Sequence, residues 1–271
     1  MSAISLVTPD WLALRGPADD AARSAALAAR AARLLPAGPL EVHDLGSGTG
    51  AMMRWLAPRL PGPQTWVLHD GDPGILAHVG SGFARDADGR PVTVRTSVEP
   101  LAELDPAAIA GAALVTASAL LDVVTADEAR RIVAACVASR APALFSLSVT
   151  GRIDLHPVHP LDAELEAAFD EHQRRIAAGR RLLGPDAGPT IARLFADAGW
   201  PTRAERTPWR LGPADAALVE AWLDGWIVAA VEQRPELSAA AIPYRARRLA
   251  QLAAGALRVD VHHEDLLAWP A

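Results

Sequence analysis

Three glycines at alternate positions, Gly46, Gly48 and Gly50, follow an acidic residue, Asp44, in the stretch EVHDLGSGTGAMMRWL over 41–56. A strand that runs into such a loop and leaves it as a helix presents backbone N–H groups where anionic groups are received. Glycines also let a ligand approach the main chain closely. A purely structural turn needs one glycine rather than three. The P-loop requires Gly-Lys-Ser/Thr, and no lysine stands here, so that cradle is excluded. The dinucleotide pattern G-x-G-x-x-G/A does fit, with Ala51 in its last place. Asp70 lies where a ribose-binding carboxylate belongs; Asp72 is a rival that the spacing favours less. Spacing alone leaves NAD and other adenosine-containing cofactors open.

A second set of reactive side chains sits in DLHPVHPLD (154–162), where His156 and His159 are three apart. Histidine titrates near neutrality and can take a proton from a substrate. The same spacing suits two metal ligands. Only Asp162 offers a third, and the prolines argue for a loop rather than a helix face, so no metal is expected. His262-His263-Glu264-Asp265, near the chain's end, reads as a surface helix start.

Alternating strand and helix patterns must hold these groups. Residues 8–35 carry apolar positions at helical spacing and read as one long helix, with a short one possible before it, ended by Pro36-Ala37-Gly38. Strands are expected at 40–45, 64–70, 91–98, 112–120 and 143–151, with helices over 52–60, 73–83 and 126–139, the last capped by Thr125. This order predicts a parallel sheet covered on both faces by helices. After 151 the chain turns polar. Helices are expected at 161–181, 190–200, 213–233 and 238–255, strands at 202–211 and 256–262, and a closing helical turn over 263–269.

Bulk composition narrows the function. The chain has 271 residues, enough for one large domain or a domain with a cap. Net charge is −6, and no basic stripe marks a nucleic-acid binder. One cysteine, Cys136, excludes a disulfide framework and a cysteine-ligated zinc site; it reads as a buried thiol. No signal peptide or membrane span is visible, so a cytoplasmic protein is expected. The Ala/Arg/Pro-rich composition suggests a GC-rich bacterial genome. Eight tryptophans stand against four phenylalanines and one tyrosine. Trp11, Trp209, Trp222, Trp226 and Tyr244 read first as core, with an aromatic acceptor pocket as the other use. Arg15 and Arg23 read as partners of Asp19 and Asp20.

The run Asp44-Leu45-Gly46-Ser47-Gly48-Thr49-Gly50 resembles the first motif of the class I S-adenosylmethionine-dependent methyltransferases. WVLHDGDPGIL (66–76) resembles the second motif, and VTASALLDVV (115–124) the fourth-strand motif. The order of elements is similar across about 40–262. The resemblance implies a Rossmann-like α/β fold: a seven-stranded, mainly parallel sheet with an N-terminal helical lid and a helical cap insertion. It divides the chain into a lid (1–39), a cofactor-binding core (40–151) and a substrate side (152–271) whose insertion spans about 213–255.

By that resemblance Asp44 and the loop Gly46, Ser47, Gly48 and Gly50 would hold the methionine end of S-adenosyl-L-methionine. Asp70 would take the ribose hydroxyls, and Ser97 and Val98 would flank the adenine. Members of the family often carry an aspartate there, which this chain lacks. Thr116 and Ser118 would lie under the sulfonium and amino group. Asp122, His156 and His159 fall on the substrate side as candidate bases. The function implied is in-line methylation of a small molecule. The partner expected is that acceptor, with a homodimer allowed and neither nucleic acid nor membrane. The rival readings are an NAD(P)-dependent oxidoreductase, a non-catalytic S-adenosylmethionine-binding protein and a protein methyltransferase.

Overall fold

A computed structural model describes residues 7–80 and 84–271. Its strands are β1 (Leu40–Leu45), β2 (Gln64–Asp70), β3 (Thr93–Val98), β4 (Leu114–Ser118), β5 (Ala143–His156), β6 (Ile176–Ala177), β7 (Arg180–Arg181), β8 (Thr202–Arg206), β9 (Trp209–Leu211) and β10 (Arg258–Ala268). Its helices are α1 (Pro9–Ala22), α2 (Ala25–Leu34), α3 (Ala51–Leu56), α4 (Pro73–Leu76), α5 (Ala126–Ser139), α6 (Asp162–Gln173), α7 (Ala187–Asp197), α8 (Ala216–Gln233) and α9 (Ser238–Ala253).

The main sheet runs β3-β2-β1-β4-β5-β10-β8, and β9 continues the β8 edge along β10. Strands β1 to β5 are parallel to their neighbours, while β10 is antiparallel to β5, β8 and β9. Strand order reverses between β1 and β4, the point at which open α/β sheets form their ligand crevice. One apolar core packs α5 and α7 on one face of the sheet; another packs α2 and α3 on the opposite face. A third joins α6, α8 and α9 to the outer halves of β5 and β10. Trp222 and Trp226 belong to this third core, stacked with ring centroids 5.3 Å apart. No described helix is long and apolar enough to cross a membrane.

Several elements depart from the sequence pattern. The helix expected over 8–35 is two, because Arg23 is extended (ψ 139°) and Ser24 caps α2 by accepting the Leu27 N–H. The helix expected over 73–83 forms only as α4, started by Asp72; residues 81–83 lie outside the described residues. The helix expected over 161–181 ends at Gln173. A two-residue turn at Ala178-Gly179, both at positive φ, then joins β6 to β7. The 202–211 strand divides at Thr207-Pro208 into β8 and β9.

The largest corrections concern the last sheet strands. β5 continues past 151 to His156, so the polar DLH segment is strand rather than loop. The closing helical turn over 263–269 is instead the second half of β10. His263 and Asp265 point inward at period two, 3% and 1% exposed. Asp265 is tolerated there because donors surround it. Its Oδ1 accepts the Leu147 N–H (2.8 Å) and the Thr207 hydroxyl (2.9 Å), and its Oδ2 accepts the Ser24 N–H (2.9 Å).

Candidate cofactor-binding site

β1 delivers the glycine loop at the carboxyl edge of the sheet. Gly46, Gly48 and Gly50 all lie at positive φ (60°, 55° and 81°), the region that favours glycine. A Cβ on Gly46 would stand 2.5 Å from Leu120 Cδ1, and one on Gly48 would stand 3.1 Å from Leu12 Cδ1 of α1. The loop is therefore pressed from two sides. Its N–H groups are largely held by β2: Ser47 N–H donates to the His69 carbonyl (2.9 Å), while Gly50 N–H closes on the Ser47 carbonyl (2.9 Å). Gly48 N–H donates to Asp70 Oδ2 (2.9 Å), and the other Asp70 oxygen accepts the Asp72 N–H (3.0 Å). Asp72 caps α4 through Gly74 and Ile75.

Asp44 lies beneath this loop, 1% exposed. Its Oδ1 accepts the Thr116 hydroxyl at 2.7 Å, from the residue paired with it across β1 and β4. Its Oδ2 is buried without a partner, as is the Ser47 hydroxyl. Burial pushes the Asp44 carboxyl up to about 6; the Thr116 hydrogen bond and the Arg23 charge oppose the rise. A glycine loop built for pyrophosphate keeps its N–H groups free and its surroundings positive. Here one of those N–H groups is taken by a carboxylate and a second carboxylate lies underneath.

α1 and α2 are tied to this edge by buried polar contacts. Asp19 accepts the Arg15 Nε–H (2.9 Å), an Arg15 Nη2–H (3.1 Å) and the Trp209 indole N–H (3.0 Å). Arg23 reaches Ser118 Oγ at 3.0 Å and Asp20 at 2.5 Å. The Trp55 indole N–H donates to the Asp20 carbonyl (3.1 Å). The sequence pairing of Arg15 and Arg23 with Asp19 and Asp20 is thus present, but the reach to Trp209 and Ser118 was not legible in it.

The remaining candidates fall in two regions. Ser97 and Val98 end β3, beside Asp70 in register, and Val98 is 58% exposed. Next to them stands a group that sequence reasoning missed. Glu99 accepts from His69 Nδ1 (2.5 Å), His69 Nε2 meets His43 Nδ1 (2.8 Å), and His43 Nε2 meets Glu41 (3.1 Å). The alternation of 41 and 43 on β1, with 69 on β2, put these on one face; only strand register showed that they touch. Asp122 follows β4 without a side-chain partner among the described residues. Its carboxyl lies deep yet still meets solvent, and burial raises its pKa against the charges of Arg15 and Arg175.

The two histidines stand apart from that edge. Phe145 of β5 pairs with Ala117, so the glycine loop lies near the level of Ser146. His156 is ten residues farther along the strand, roughly 30 Å at strand rise. His159 Nδ1 accepts the Leu161 N–H (3.1 Å), and its backbone N–H donates to Asp162 (2.8 Å). It lines a groove of about 630 Å³ with Tyr244, Arg247 and Glu164. The structure sets these two candidate bases far along β5 from the glycine loop, because the strand continues where a loop was expected. Asp162, the one side chain that could have completed a metal triad, is ion-paired with Arg248 and accepts the Tyr244 hydroxyl (2.6 Å).

No protein-family model matches the sequence, and no curated protein matches it. Solved structures do. A cyclopropane-fatty-acyl-phospholipid synthase-like protein from Lactobacillus casei aligns with a TM-score of 0.50 at 14% identity, covering 96% of this chain and 92% of that one. A mycolic acid cyclopropane synthase complexed with SAH and CTAB gives 0.48 at 13%, covering 90% and 82%. A SAM-dependent methyltransferase from Geobacter sulfurreducens, in complex with S-adenosyl-L-homocysteine, gives 0.40 at 16%, covering 98% and 92%. With its sheet order, its reversal between β1 and β4 and its glycine loop at that reversal, this chain has the class I methyltransferase fold.

Proposed function

We propose that this protein is an S-adenosylmethionine-dependent methyltransferase acting on a small molecule. The observation that carries the reading is the pair of carboxylates at the glycine loop. Asp44 lies beneath the loop with an orphaned oxygen, and Asp70 holds the Gly48 N–H. A ribose-type carboxylate such as Asp70 suits either adenosine cofactor, but the buried Asp44 beneath the loop repels a pyrophosphate and suits a cofactor with an ammonium and a sulfonium. This speaks against the dinucleotide reading, which the glycine spacing alone leaves open.

S-adenosylmethionine would supply an electrophilic methyl on a positively charged sulfur. The chain's own residues bind, align and exclude water. Asp44 would face the amino group, with Gly46, Ser47, Gly48 and Gly50 shaping the space around it. Asp70 has lone pairs left for ribose hydroxyls beyond those it gives to Gly48 and Asp72. Ser97 and Val98 would border the adenine, and Thr116 and Ser118 would lie under the reacting end. Asp122 is the base we favour. No side chain partners it among the described residues, its pKa is raised by burial, and it follows the strand that carries Ser118. His156 and His159 are not part of the proposal. We read 1–39 as lid, 40–151 as cofactor core and 152–271 as the substrate side, with 213–255 as cap.

Calorimetry with S-adenosylmethionine, S-adenosylhomocysteine and NAD tests this reading. We expect saturable binding of the first two and none of NAD; binding of NAD alone refutes it. Asp70→Ala should weaken the adenosyl ligands by about 1.5–3 kcal/mol, the size of charged hydrogen bonds. An unchanged affinity in the folded variant moves the ribose elsewhere.

A further inference from the structure

His43 and His69, each 2% exposed, are the middle members of a row that runs Glu41, His43, His69, Glu99. Three hydrogen bonds join the four groups, and each bond needs one proton. An ionised carboxylate supplies none. A neutral imidazole supplies one, from one nitrogen, and accepts at the other. Two neutral imidazoles therefore fill only two of the three bonds, whichever tautomers they adopt. The third contact would set two lone pairs against each other in a buried site, the costly case of an unmade hydrogen bond. The row is complete only with a third proton, which belongs to the coupled groups together.

The surroundings say which ring carries it. The groups facing the pair from β1 and from the end of β3 are the carboxylates of Glu41 and Glu99. Arg95 of β3 lies 3.5 Å from Glu41 and offsets its charge, while Glu99 has only the Ser97 hydroxyl beside it (3.3 Å). The cover over this face is apolar: Leu101, Leu104 and Ile109 pack with Leu45 and Val115, and Glu103 and Asp105 are exposed. Burial pushes the His43 imidazole below its usual range, against its hydrogen bond to Glu41. The further proton thus falls to His69, next to Glu99 at 2.5 Å.

That contact closes a ring around Asp70. The Glu99 N–H donates to the Asp70 carbonyl (3.1 Å), and the Glu99 carboxylate holds the side chain of His69, the residue before Asp70. The His69 carbonyl in turn accepts the Ser47 N–H of the glycine loop (2.9 Å).

We propose that His69 is held as an imidazolium between His43 and Glu99, and that this one proton latches the ends of β2 and β3 around Asp70. His69 Nδ1–H then donates to Glu99, His69 Nε2–H to His43 Nδ1, and His43 Nε2–H to Glu41. Loss of the proton breaks one of these bonds and loosens the latch, so His69 is a pH-sensitive positioning residue for Asp70. The proton count stands on the row alone; its effect on ligand binding rests on the cofactor proposed above.

Glu99→Gln separates proton from latch, because its amide donates to His69 Nδ1 and completes the row with both rings neutral. Long-range ¹H–¹⁵N spectra of the wild type at pH 7.5 should show His69 protonated on both ring nitrogens and His43 as the neutral Nε2–H tautomer. In Glu99→Gln both rings should be neutral. A neutral His69 in the wild type overturns the proposal, whether or not the variant folds. The folded row keeps a proton that an unfolded histidine releases near 6.5, so this stability is whole below about 6.5 and is lost as pH rises. Between pH 6.5 and 9 the wild type should lose roughly 3–5 °C of Tm relative to Glu99→Gln, the size of a proton held about ten-fold more tightly when folded. Parallel profiles overturn the latch. Over pH 7.5–9 the affinity for S-adenosylhomocysteine should fall about 3- to 10-fold more in the wild type than in the variant, and a constant ratio overturns the link to Asp70. If S-adenosylhomocysteine binds neither protein at any pH, the cofactor reading fails while the spectra and Tm profiles still decide the proton.

Discussion

Replacing Asp44 by asparagine should make the ligand-free protein more stable at neutral pH and a poorer cofactor binder. The carboxyl is fully enclosed, with one oxygen on Thr116 and the other unpaired. Burial lifts its pKa from 3.8 to about 6, an ionisation penalty of about 3 kcal/mol. Asparagine keeps the acceptor for Thr116 but puts an unpaired amide N–H₂ where Oδ2 stood, costing about 1–2 kcal/mol. The net gain is about 1–2 kcal/mol at pH 7.5, roughly 2–4 °C of Tm per kcal/mol for a chain near this size. The sign with pH follows from proton binding. Between 3.8 and about 6 the folded state holds this proton more tightly than the unfolded state, so wild-type stability falls as pH rises through that window. By pH 4 the folded carboxyl is protonated and most of the penalty is gone, and well below pH 3.8 the group is neutral in both states, so the advantage of asparagine should vanish or reverse. Chemical denaturation of both proteins at pH 4 and 7.5 reads this directly. Calorimetry should also show wild-type affinity for S-adenosylmethionine rising as pH passes through about 6, and a roughly 10-fold or greater loss in Asp44→Asn. A variant less stable than wild type at pH 7.5, with affinity unchanged, refutes the argument.

Two further substitutions probe the loop and α1. Gly46→Ala places a side chain at positive φ and against Leu120, whereas Gly89→Ala meets positive φ with open space around it. The first should lower Tm more than the second, which carries only the backbone cost of about 1–2 kcal/mol; equal losses would remove Leu120 from the account. Asp19→Asn leaves Arg15 short of its carboxylate in a mostly buried pair and should cost about 3 kcal/mol. Hydrogen exchange should then show faster opening of α1, and unchanged protection there would mean that this pair does not hold α1 in place.

What the chain made readable was local. Glycine types and spacing announced the loop because only glycine tolerates those positive φ values, and Thr125 announced α5 as its cap, which the structure completes as a capping box with Glu128. Alternating strand and helix patterns gave the parallel sheet, since period and connection length are written residue by residue. Where the same signals misled, a partner far along the chain had overruled them. His263 and Asp265 looked like a polar helix start; β5 and the Ser24 and Thr207 groups drew them into a strand by satisfying the carboxylate. DLHPVHPLD looked like a loop, but β10 pairs with β5 as far as His156 and carries it away from the crevice.

The amino-acid sequence by itself determined the fold class, the glycine loop and the acidic residues at the ends of β1 and β2. These follow from dihedral preference and hydrophobic period, which act over a few residues. Only the tertiary structure decided that Asp44 is starved of donors, that Arg23 crosses ninety-five positions to Ser118, and that His43 and His69 touch. Burial and strand register set those facts. Both depend on which segments pack together, and that is a property of the folded whole.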